Sequence, residues 1–160
     1  MEVDPLLRDA LVRGSAWLSF ACYILALACW LRHSSSSLVR WFWTLGCLIF
    51  LIHVALAFRL VHQWSHQQAF EATKLQGGVG EGIYFNYLVI AVWLADVLWW
   101  WFKKPGYEHR SRWITWFVQG FLLFMWFNAA VVFAHDYLWI VGLSGFGLLA
   151  VVTARRSQRS

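Results

Sequence analysis

The chain alternates long apolar runs with short polar breaks. A helix that crosses a ~30 Å hydrocarbon layer needs about 20 mostly apolar residues. Five stretches meet that need: Ser15 to Leu31, Val39 to Val61, Ile83 to Phe102, Trp113 to Ala134 and Tyr137 to Ala154. The runs are continuously apolar and lack the period-two alternation of a membrane barrel. The pattern therefore predicts an all-α fold, a bundle of five transmembrane helices forming a single membrane-embedded unit.

The breaks predict how the spans join. Arg32-His33-Ser34-Ser35-Ser36-Ser37 separates the first two. Lys103 to Arg112 forms a basic connector whose Pro105-Gly106 pair predicts a turn. His135-Asp136 leaves room only for a tight hairpin between the last two spans. The longest connector, from His62 to Gly82, ends in Gly77-Gly78-Val79-Gly80-Glu81-Gly82, a run suited to turning the chain back into the third span. Before the first span, Asp4-Pro5 predicts the start of a short surface helix, with Asp4 as its cap.

Composition agrees with the pattern. Of 160 residues, 61% are hydrophobic and 13% charged, with 13 tryptophans. Soluble domains average about 45–50% apolar and about 25% charged, so a soluble enzyme, a disordered tail and a disulfide-stapled secreted domain are all excluded. The net charge of +5 follows from topology. One side of a five-span bundle would carry four basic residues, Arg8, Arg13, Arg59 and Lys74. The other would carry nine: Arg32, Arg40, Lys103, Lys104, Arg110, Arg112, Arg155, Arg156 and Arg159. The positive-inside rule then predicts an outer N-terminus and a cytoplasmic C-terminus in a bacterial-type inner membrane. Trp41, Trp43, Trp99, Trp100, Trp101, Trp113 and Trp116 would mark the inner boundary, and Trp64, Tyr84, Tyr137 and Trp139 the outer one. The basic residues are expected beside anionic headgroups. A nucleic-acid partner is not expected, because no soluble domain carries a basic face. Leu25-Ala26-Leu27-Ala28-Cys29 resembles a signal cleavage site, but Glu2, Asp4 and Asp9 stand where a signal peptide has a basic segment. The first span is therefore read as retained.

Ionisable groups within a membrane are candidates for function because burying them is costly. His62-x-x-x-His66 has a spacing that lets two imidazoles share one ion, provided the second helix continues to His66. The same topology brings Glu71, Glu81, Asn86, Asn128, His135 and Asp136 to that outer surface. The bland alternative is a polar rim in contact with water and headgroups. The sharper reading is a transition-metal ion or haem site with His62, His66 and His135 as ligands and Glu71 or Asp136 assisting. His53 lies roughly 12 Å below the outer end at 1.5 Å per residue; it is either a hydrogen-bonded core histidine, a proton-relay group or an axial haem ligand. Asp96, in the inner half of the third span, needs a partner, and Gln119 at similar depth on the fourth span is the expected one. Asp96 could serve as interhelical glue or in proton movement.

Cys22, Cys29 and Cys47 lie within spans without Cys-x-x-Cys spacing and read as small core residues. Ser144, Gly147, Ala150 and Ala154 recur at three- and four-residue steps. Such a stripe predicts close helix packing within the bundle, with a second copy of the chain as the alternative. No motif fixes a reaction. Three functions compete: a metal- or haem-binding membrane protein, a non-enzymatic accessory or assembly subunit of a membrane complex, and, less favoured by the lack of a repeat, a proton-coupled carrier using Asp96 and His53.

Overall fold

The computed structural model describes residues 4–32, 36–134 and 138–157. The described residues are helical and contain no strand. The elements are α1 (Pro5–Leu31), α2 (Ser36–Leu60), α3 (His66–Gly77), α4 (Gly82–Phe102), α5 (Lys104–Glu108), α6 (Arg112–Phe127) and α7 (Leu138–Ser157). Five segments are long and apolar enough to cross a membrane: Pro5–Leu31, Ser37–Leu60, Gly82–Phe102, Arg112–Val132 and Leu138–Arg155. The protein is an all-α, multi-pass membrane protein.

The helix boundaries depart from the apolar pattern where local chemistry overrides it. Asp4 does cap a helix, accepting from the Leu6 amide at 2.7 Å, and Pro5 opens it. That helix is no separate surface piece, for it runs unbroken to Leu31. The second helix stops at Leu60. Gln63 and Trp64 adopt left-handed φ values of 49° and 60°, and the Trp64 amide reaches back to the Phe58 carbonyl at 2.8 Å, which satisfies one of the carbonyls left open at the helix end. The long connector then forms α3. Ser65 caps it by accepting from the Gln68 amide, and Gly78, at φ 77°, closes it in the left-handed region that glycine tolerates best. Gly80 packs directly beneath the Phe70 ring, where a β-carbon would collide. The glycine run thus turns the chain back into α4, as expected.

Two other connectors differ from the pattern. Pro105 occupies the first turn of α5 rather than a bare turn, a position that needs no amide hydrogen. The fourth span ends in a π-helical turn, Asn128–Val132, in which Asn128 donates to the Phe124 carbonyl.

The bundle closes around aromatic side chains. Tyr23, Trp43, Trp93 and Trp126 come from α1, α2, α4 and α6 and are buried. Their ring centroids lie 5.3–6.4 Å apart, the spacing of tilted and edge-to-face pairs. Small residues allow this approach. Ser19, Cys22 and Ala26 are buried on α1, the Ser19 hydroxyl donates to the Gly46 carbonyl at 2.8 Å, and Gly46 lies against the Trp93 indole. Without a hydrophobic drive between helices in lipid, such close contact is what holds a membrane pair together. Cys22 and Cys47 are buried free thiols.

The anticipated stripe on the last helix behaves differently. Ser144, Gly147, Ala150 and Ala154 are all exposed, so the expectation of packing within the bundle is corrected. The opposite face of α7 makes the contacts, with Gly145 against Phe20 and Gly142 against the Ala130 carbonyl of the π turn.

Candidate functional site: a buried ion pair and an aromatic cavity

The two ends of the bundle carry different polar features. At the end holding the C-terminus, Asp96 is buried in α4. Arg110, in the connector after α5, folds back into the bundle and ion-pairs with its Oδ1. The side chains are 6% and 2% exposed for Arg110 and Asp96. The Trp43 indole donates to Asp96 Oδ2 at 3.0 Å, and the Tyr107 hydroxyl donates to the same oxygen at 2.9 Å. Arg110 also donates from Nε to Thr115 Oγ1 at 3.0 Å and lies 4.0 Å over the Tyr107 ring. Tyr107 stacks on Trp100 at 4.6 Å. Burial above all, with the Asp96 charge adding to it, pushes the Tyr107 phenol up from its ordinary pKa, so the hydroxyl remains a donor. With its charge matched and both oxygens bonded, Asp96 is tied into the protein rather than left free in the bilayer.

Gln119 is not the partner of Asp96. Its Oε1 is buried without a hydrogen-bond partner, beside a cavity of about 820 Å³ that Arg110, Arg112 and Trp116 also line. Arg110 takes the carboxylate because the α5 turn carries it inward. Trp43 and Trp100 also leave the anticipated interfacial belt, for they are buried around this cluster, whereas Trp41, Trp113 and Trp116 are exposed.

At the end holding the N-terminus, a cavity of about 510 Å³ opens between α1, α2, α3, α4 and the π turn. Its walls are largely aromatic and aliphatic, among them Trp17, Phe20, Phe50, Phe58 and Trp126. His53, His62, Gln76, Asn86 and Tyr87 supply polar groups. His53 Nδ1 lies 2.9 Å from the Val12 carbonyl and 3.3 Å from Ser15 Oγ, so the bland reading of a hydrogen-bonded histidine describes one side of its ring. His62 follows the end of α2, and burial lowers its pKa from the ordinary value.

The predicted metal-ligand set is only partly within view. The early stop of α2 separates His62 from His66, which begins α3. The helical face that was to join them is therefore absent. His66 instead bonds through Nδ1 to the Tyr87 hydroxyl at 2.8 Å. Glu71 and Glu81 are exposed. His135 and Asp136 lie outside the described residues. Among the described residues, no group of three or more His, Cys, Asp or Glu side chains is gathered to hold a metal.

Sequence reasoning missed α3, Arg110, Tyr107 and Trp43. Ser65-His66-Gln67-Gln68 has the spacing of a capping box, Ser or Thr followed three residues later by Glu or Gln, and could have revealed α3. The role of Arg110 had no such signal, since it depends on the path of the connector. Compared with known protein families, curated proteins and solved structures, the chain matches none.

Proposed function

We propose that this multi-pass membrane protein binds a small, largely apolar organic molecule in the cavity at the N-terminal end of the bundle. The observation that carries the reading is the cavity itself. Its volume of about 510 Å³ falls in the roughly 300–1,000 Å³ range of small-molecule sites, and such sites combine apolar walls with a few convergent polar groups. The π turn on its wall adds weight, since such turns are frequent at functional sites. We further propose that this end faces outward from a bacterial-type inner membrane with the C-terminus in the cytoplasm, on the strength of the four-to-nine division of basic residues.

The test is purification in mild detergent, organic extraction and mass spectrometry. One molecular species near one per chain is expected, and Ala57→Phe, which narrows the cavity, should reduce it. Recovery of bulk phospholipid alone, in the proportions of the membrane, would count against the reading. A Soret band with stoichiometric iron would replace it with the haem-binding alternative.

A further inference from the structure

We infer that the molecule held in this cavity carries a neutral hydroxyl group, and that Nε2 of His53 accepts its hydrogen bond. The inference rests on the ligand-binding reading above and adds the chemical class of the ligand.

The other nitrogen of the ring fixes the tautomer. The Val12 carbonyl, 2.9 Å from Nδ1, can only accept, so Nδ1 carries a hydrogen. Ser15 does not alter this. Its hydroxyl hydrogen is directed at the Leu11 or Val12 carbonyl, at 2.7 and 2.9 Å, which leaves its oxygen as a second acceptor for Nδ1. No aspartate or glutamate stands on the cavity wall among the described residues, so nothing there offsets an imidazolium charge, and an unmatched charge in a membrane interior is costly. The ring is therefore neutral, and Nε2 presents a lone pair.

Among the described residues, that lone pair has no hydrogen-bond partner. The hydrogen bonds of His53 run through Nδ1, and the ring is half-buried on the cavity wall. His53 lines the cavity, with the Phe50 ring 6.0 Å away and Trp126 5.8 Å from Phe50. An acceptor among aromatic walls suits a ring that bears an O–H. A cationic donor suits it poorly, because Arg13 is on the same wall and no acid is. A ketone or methyl ether of the same shape would bring an oxygen lone pair against a nitrogen lone pair and lose the bond. The site thus prefers a phenol or alcohol over its ketone or ether.

The test uses 1-hydroxypyrene and 1-methoxypyrene as probes, with the full chain in lipid nanodiscs. Binding is read by energy transfer from tryptophan to pyrene. The hydroxyl probe should bind about fivefold more tightly, as one hydrogen bond of ordinary strength implies. His53→Phe should bind both probes alike. Equal binding of the two probes to the unaltered protein would overturn the His53 inference and leave the cavity reading standing. So would a preference that survives in His53→Phe. Failure of both probes to bind the unaltered protein beyond empty nanodiscs would overturn the cavity reading as well. The comparison in the unaltered protein decides the matter even if His53→Phe does not fold.

Discussion

Arg110 neutralises Asp96 from fourteen residues further along the chain, and does so inside the bundle rather than at its rim. One consequence concerns stability. Removing either partner leaves an uncompensated buried charge, which costs about 3–5 kcal/mol, whereas replacing both with apolar residues of similar size is often close to neutral. Arg110→Met should therefore sharply lower the thermal midpoint of the detergent-solubilised protein, and the double variant Asp96→Leu/Arg110→Met should recover much of the loss. A double variant as unstable as the single one would show that the pair does not act as a unit.

The two neutral donors to Asp96 should matter less, and separately. Trp43→Phe and Tyr107→Phe each delete one hydrogen bond to a charged oxygen, worth about 1.5–3 kcal/mol. Equilibrium unfolding of both variants would check this. Tyr107→Phe keeps the stacking on Trp100, so its loss should be confined to the hydroxyl.

Gly142 is expected to tolerate no side chain. A methyl there would strike the Ala130 carbonyl, so Gly142→Val should push α7 from the π turn. Cysteine crosslinking between the two elements would detect the separation. Gly147, whose β-carbon would meet nothing, should accept the same change with little effect.

His62 makes the protein less stable in acid. Burial lowers its folded pKa from 6.5, so the unfolded chain takes up a proton first as pH falls. The stability it contributes is intact above about 6.5, is lost as pH drops through the folded pKa, and changes no further below it. Unfolding midpoints measured across this window should fall less in His62→Gln. An equal fall in both proteins would assign the effect to other groups.

The spans were legible because lipid demands long apolar helices, and that demand is written residue by residue. Their ends were less so. The stop at Leu60 depends on left-handed Gln63 and Trp64, neither a residue that announces such a conformation, and it decides that His62 and His66 part company. Asp96 was recognisable as an anomaly from its apolar neighbours alone. Its partner was not, because Arg110 belongs to a basic connector whose residues otherwise read as topology signals. Arg110 is also a long side chain reaching inward from a turn, which no helical periodicity encodes. His53 stood out by depth, but its tautomer follows from a carbonyl on another helix.

The order of the ion pair along the chain also bears on synthesis. Asp96 is made before Arg110, and at about 5–20 residues per second the ribosome needs roughly one to three seconds to cover the gap. An aspartate at the centre of a helix opposes entry into the bilayer by about 2.5–3.5 kcal/mol, and Asp96, six residues from the end of its span, opposes it by less than that. The third span must therefore be carried in by its surrounding Ile, Val, Leu and Trp residues while its countercharge is still to come. Substitutions that thin this apolar surplus should first appear as failed insertion during translation, before any weakness of the finished bundle could be measured.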